Sequence, residues 1–279
     1  MRDRQSNART GDGAAAPMSS ARGGPSRGIN SKTRPAEPPP PEMPVDNAAR
    51  VRQRILAIFL PVTAVLYVSC EALDPKGTDQ VVTTVAGGLK LLAIAAKHPT
   101  QLYIAGTLSL LALGALAVSY AAIATLVTGR GWVVATVAAL LGGIGAFCGA
   151  IVNVLVGVNL AAAATAHISP DAAARFLMTS FNSGAGQLFT YLYFVSEYTA
   201  PVVMGFALWR SRSVPRWLAV LFAVGLEVAE AQSAKGAVVI LFMLPWAIAM
   251  FVLAARIWQS AAQPAAGNLD PVPEPVSSI

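Results

Sequence analysis

Three carboxylates interrupt long apolar stretches in the second half of this chain: Glu197, Glu227 and Glu230. An ionised group inside lipid costs about 3 kcal/mol on insertion scales, so an acid in such a stretch is a functional candidate by default. Glu197 has Pro201 four residues on, and a helix running through that proline loses the hydrogen bond to the carbonyl of Glu197 itself. A carboxylate and a freed backbone oxygen then converge at one kink. Such a spot suits a proton, a small cation or a polar ligand, and broken helices mark binding sites in transporters. Tyr193, one turn earlier, and the adjacent Ser196 are within local reach as hydrogen-bonding partners. Glu197 precedes Arg210 by about 13 residues and Glu227 follows Arg216 by about 11, roughly 20 and 17 Å along a helix. On adjacent antiparallel helices the two carboxylates share one depth, where like charges repel and one proton is held between them. Glu230 lies one turn further on the face of Glu227. The competing reading is structural: Glu197 and Glu227 neutral or hydrogen-bonded within a bundle, and Glu230 paired with Lys235.

Other chemistry has less support. The two histidines, His98 and His167, fall near the ends of apolar stretches, and with Glu71, Asp74 or Asp171 they would make a zinc-type donor set. No spacing requires it, so no metal and no cofactor is assigned. HExxH, GxSxG, CxxC and phosphate-loop patterns are absent, and the chain is not read as an enzyme. Asn182-Ser183-Gly184 has no later histidine to serve as its base. Cys70 and Cys148 do not form a disulfide framework. Arg50, Arg52 and Arg54, an apolar stretch and Val68-Ser69-Cys70 imitate a lipoprotein signal, but Tyr67 stands where a small aliphatic residue is usual; an uncleaved first span is expected.

The elements that must position these groups are apolar helices. The chain of 279 residues is 55% hydrophobic and 12% charged, with mean hydropathy +0.57, too apolar for a soluble domain of that length. Crossing about 30 Å of hydrocarbon takes roughly 20 apolar helical residues. Six stretches qualify: 55–73, 102–127, 132–160, 187–209, 214–233 and 236–258. Arg50, Arg52 and Arg54 precede the first, Arg130 separates the second and third, Arg210, Arg212 and Arg216 separate the fourth and fifth, and Arg256 closes the sixth. All fall on one side if all six stretches span, which puts both termini in the cytoplasm. Trp132, Trp209, Trp217 and Trp258 lie at the same boundary. The formal charge of +6 therefore reads as orientation, not as a nucleic-acid surface.

Two shorter segments on the opposite side have helical patterning. After the turn Asp74-Pro75-Lys76-Gly77, the residues Val81, Val85, Leu89, Leu92 and Ala96 predict an amphipathic helix ended by Pro99. Ser169-Pro170-Asp171 predicts a second helix, capped by Ser169, with a stripe of Ala173, Leu177 and Phe181. These helices either roof the bundle or gate a cavity. In the third stretch Ala138, Gly142, Gly145, Gly149 and Gly157 form a small-residue seam, with Gly106 and Gly114 of the second as partners; the seam serves intramolecular packing or a homodimer. Residues 1–49 and 261–279, rich in Pro, Gly, Ala and Ser, are expected to be disordered cytoplasmic tails around a transmembrane domain of 50–260. No internal repeat is visible.

The first span, the Asp74-Pro75-Lys76-Gly77-Thr78-Asp79 turn, the outer helix, and hairpins joined by Arg210-Ser211-Arg212-Ser213-Val214-Pro215-Arg216 resemble a group of uncharacterised bacterial six-helix integral membrane proteins, a domain of unknown function. The resemblance covers roughly 50–258. It implies an all-α polytopic fold in a bacterial plasma membrane and supplies no activity, cofactor or site residue. Two functions stay open. One is the handling of a small molecule or ion at Glu197 and Glu227. The other is a membrane scaffold, sensor or partner subunit whose tail recruits a protein.

Overall fold

The computed structural model describes residues 47–76, 82–166, 168–231 and 237–262, and among them every regular element is helical. The elements are α1 (Asn47–Leu73), α2 (Val85–Lys97), α3 (Pro99–Ala124), α4 (Trp132–Asn153), a π-helical segment (Val154–Val158), α5 (Asn159–Thr165), α6 (Pro170–Asn182), α7 (Gly184–Ser211), α8 (Arg216–Ala231) and α9 (Ala237–Ala262). Four helical stretches are long and apolar enough to cross a membrane: Asn47–Leu73, Pro99–Ala124, Trp132–Thr165 and Val238–Ala262.

The remaining two expected spans are helices of a different character. Through its middle α7 carries Thr190, Tyr191, Tyr193, Ser196, Glu197, Tyr198 and Thr199, which dilute its apolar content. Within the described residues α8 has 16 residues, about 24 Å at 1.5 Å per residue and short of a 30 Å core. The long stretch Trp132–Thr165 has the opposite mismatch. Its 34 residues reach about 50 Å, so it outruns the hydrocarbon thickness by several turns. Its far end, α5, packs on α2 and α6.

Six helices close into a ring in chain order: α1 on α3, α3 on α4, α4 on α7, α7 on α8, α8 on α9, and α9 back on α1. Neighbours run antiparallel. Gln101 Nε2 donates to Leu73 O (2.7 Å) while Thr63 Oγ1 and Ser119 Oγ, further along both helices in opposite senses, lie 2.9 Å apart. Along α4 and α7, Gly149 faces Tyr193, Gly145 faces Ser196 and Gly131 faces Ala207 O. Tyr67 stacks edge-on against Trp246, and Arg54 lies over the Trp258 ring at 5.5 Å, so α1 and α9 are antiparallel too. Arg216 over Trp209, also at 5.5 Å, closes the α7–α8 turn. The ring therefore gathers the arginine-bearing ends of α1, α8 and α9, with Arg130 and Arg210, at one end.

The other end is capped by α2, α5 and α6, which share an apolar cluster of Leu91, Leu92, Leu160, Ala161, Leu177 and Phe181. On α6 the expected stripe of Ala173, Leu177 and Phe181 is buried, and Ser169 Oγ accepts from Ala172 N (3.3 Å) as the cap. On α2 the buried face is rotated from the expected one. Gly88, Leu91, Leu92 and Ala95 are buried, whereas Val85 and Leu89 are half-buried and Ala96 is exposed. The cause is contact with α6: a Cβ on Gly88 would stand 3.1 Å from the Ala174 Cβ, so the glycine face docks closest.

Boundaries move by a few residues. Helix α1 begins at Asn47, inside the segment expected to be tail, and α9 runs two residues past 260. The second span starts at Pro99 and ends at Ala124, after which Leu126 N and Val127 N bond three residues back and tighten the chain into the Gly129–Gly131 turn. The tails at 1–46 and 263–279, Val81, His167 and Lys235 lie outside the described residues.

Candidate functional site

Glu197 enters the bundle on α7 opposite the small residues of α4. The Cβ positions that Gly142, Gly145 and Gly149 lack would lie 2.3 Å from the Tyr120 ring, 2.8 Å from Ser196 Cβ and 2.7 Å from the Tyr193 ring. The seam is thus a groove that lodges the side chains around the carboxylate. Gly106 does pack near Gly157, as the sequence suggested, whereas nothing approaches within 4 Å of a Cβ on Gly114.

Glu197 is half-buried, and its Oε1 accepts a hydrogen bond from the Tyr67 hydroxyl of α1 at 2.8 Å. This bond ties two helices that are not neighbours in the ring. Pro201, one turn on, is buried inside an unbroken helix. Tyr193, one turn earlier, is buried against Gly149, and Ser196 is buried against Gly145. Glu227 is half-buried on α8 with its Oε1 buried. Tyr120 of α3 is buried edge-on against Phe222 and lies within electrostatic reach of both Glu197 and Glu227. Glu230 lies on α8 one turn further; its side chain is outside the described ones.

Two cavities adjoin these groups. The deeper is lined by Tyr120, Gly145, Tyr193, Ser196, Glu197 and Leu226 among others, and leaves about 10 Å³ for water centres, room for roughly one water. The second lies toward the capped end and leaves about 30 Å³, room for roughly two. Its wall is mixed, with Tyr67, Cys70, Glu71, Asp74, Lys76, Ser109 and Asn153 set beside Ala105, Leu113, Val152 and Val156. Tyr193 and Leu113 line both cavities, while Tyr67 lines the second and bonds to the carboxylate of the first.

Lys76 was expected only as a turn residue. It folds inward and is buried, its Nζ 2.6 Å from Asp74 Oδ2, with side-chain exposures of 4% and 13%. Asp74 Oδ1 also accepts from Lys76 N at 2.8 Å, so one carboxylate closes the turn and neutralises the ammonium. An ion pair this largely buried persists only with close geometry and further hydrogen bonding. Across the cavity, Asn153 Nδ2 donates to Gly106 O (2.9 Å) just before the π-helical segment. Such widened turns recur at functional sites.

Tyr67, Lys76 and Asn153 were missed as site residues. A signal for the first existed: Thr63, Tyr67, Cys70, Glu71 and Asp74 recur at three- and four-residue spacing, a polar stripe on one face of an otherwise apolar helix. The proposed histidine sites gain no geometry: His98 is an exposed linker between α2 and α3. Among the described residues no three His, Cys, Asp or Glu side chains are grouped to hold a metal ion.

The class this defines is a protein whose described elements are all helical, four of them long and apolar enough to cross a membrane, with a few polar groups set inside an apolar bundle. No family model, curated protein or solved structure matches the chain.

Proposed function

We propose that this chain is a six-span integral membrane protein, bacterial and of the plasma membrane, with both termini cytoplasmic, that binds or transports an ion or small molecule at a protonatable carboxylate site. The observation that carries the activity is the Tyr67–Glu197 bond, because it places a carboxylate inside the bundle beside a partly polar cavity. Isolated acids are expelled from such surroundings unless a function keeps them. Support for six spans comes from the outer surface. On α7, Leu188, Tyr191, Val195, Val202 and Phe206 are exposed, and on α8, Trp217, Val220, Val224 and Val228. An apolar exterior around a partly polar interior suits lipid as the surrounding solvent. The arginines and the exposed tryptophans Trp132, Trp209, Trp217 and Trp258 at one end favour that end as cytoplasmic.

The test is charge movement. Proteoliposomes holding the full chain, adsorbed on a solid-supported membrane, are expected to give a transient current on a pH step or on addition of a coupled solute. Glu197→Gln, folded to the same extent, should lose it. An equal current in both proteins would remove Glu197 from the function.

A further inference from the structure

We propose that the species exchanged at Glu197 is the proton, and that it arrives from the end capped by α2, α5 and α6 through the cavity at Asp74 and Lys76 and the hydroxyl of Tyr67. The inference rests on the carboxylate-site reading above and narrows it.

Volume argues for the proton. The spaces beside Glu197 and Tyr67 leave room for about one and two waters respectively, too little for an organic solute and enough for a hydrogen-bonded chain. Connectivity supplies the route. Tyr67 both lines the outer cavity and bonds to the Glu197 carboxylate. The transfer balances as a relay. Cavity water carrying a proton from the bulk gives it to the Tyr67 oxygen while the Tyr67 hydroxyl proton passes to Glu197 Oε1. The hydroxyl is regenerated, the carboxylate becomes neutral, and one proton has moved inward.

Direction follows from the rest of the core. Toward the arginine end the bundle is filled by Leu60, Met204, Leu208, Leu218, Met250 and Leu253, all buried. The polar pair there, Thr63 and Ser119, bonds to itself and back to Phe59 O and Ala115 O. The side chains named on that side are therefore apolar or hydrogen-bonded within the bundle. The titratable groups near Glu197 include Tyr67 from α1 and Tyr120 from α3, with Tyr193 on its own helix, while Glu227 of α8 lies within electrostatic reach of Tyr120; α4 presents Gly142 and Gly145. Around the outer cavity stand Cys70, Glu71, Asp74 and Lys76. The Lys76 ammonium is a tethered cation that offsets part of this acidity without leaving the site.

Infrared difference spectroscopy after a rapid pH drop, on the full chain in lipid, reads the route directly. The wild type should develop the carbonyl stretch of a neutral carboxylic acid that Glu197→Gln lacks. Tyr67→Phe should keep the band and reach it about a hundredfold or more slowly, the scale on which losing one positioned proton-transfer group acts. Ala105→Val, which fills the outer cavity from α3 and leaves the hydroxyl in place, should slow it too. If Glu197→Gln abolishes the band but both other variants match the wild-type rate, the route is wrong and the carboxylate site stands. If no band depends on Glu197, both the route and the reading beneath it fall.

Discussion

Gly142 and Gly143 are adjacent in α4, yet one faces the Tyr120 ring and the other open space. A methyl at Gly142 would have to displace a ring already held by Phe222 and by the α3–α4 contact. Gly142→Ala should therefore cost about 1–3 kcal/mol, the usual cost of overpacking. Gly143→Ala meets nothing within 4 Å and should be neutral or stabilising by up to about 1 kcal/mol, the helix-propensity gain. Thermal unfolding in mild detergent, followed by helix signal, separates the two; equal effects would mean that propensity rather than the seam governs this helix. The same reasoning explains why the glycine spacing alone was ambiguous. It announced a close approach, and only the fold reveals that aromatic and hydroxyl side chains of α3 and α7 fill it.

At the scale of elements, helix α6 holds α2 through a contact of two small residues, Gly88 and Ala174. Ala174→Leu should push α2 off and cost about 1–3 kcal/mol locally. Hydrogen exchange would then rise in α2 and α6 and stay unchanged in α1 and α9; a rise throughout would make the cap part of the main cooperative unit. Apolar runs and turn residues located most helices to within a few residues, because length, capping by Ser169 and the arginine loops are local signals. The face of α2 was not legible in the same way. Apart from Lys90 and Lys97, α2 consists of Ala, Gly, Leu, Ile and Val, so apolar residues extend beyond one stripe and the docking partner decides which ones are covered. The π-helical segment leaves no mark in periodicity. Glu197 and Glu227 were legible because an acid breaks an apolar run, while the Tyr67–Glu197 bond joins positions 130 residues apart, and Lys76 is a residue type almost never buried unless paired.

For the whole molecule, the open question of span number turns on α7 and α8. Helices α1, α3, α4 and α9 meet the length and composition of membrane spans by themselves. If only those four cross, the α7–α8 hairpin enters from the capped side and returns to it, and its turn at Arg212 shares that compartment with Asp171. If all six cross, Arg212 lies with Arg130 and Arg54. The ring geometry favours the second arrangement, since Gly131 at the start of α4 lies 3.2 Å from Ala207 O and 3.8 Å from Arg210 Cβ, measured from the Cβ it would carry. Both native cysteines are buried, so single replacements Arg130→Cys, Arg212→Cys, Lys97→Cys and Asp171→Cys can be made after changing Cys70 and Cys148 to Ala. In intact cells a membrane-impermeant maleimide should modify Lys97→Cys and Asp171→Cys, with Arg130→Cys and Arg212→Cys reacting only once the cells are opened. Labelling of Arg212→Cys together with Asp171→Cys would make the molecule a four-span protein with a re-entrant hairpin, and would put the carboxylate of Glu197 in a pocket reached from one side only.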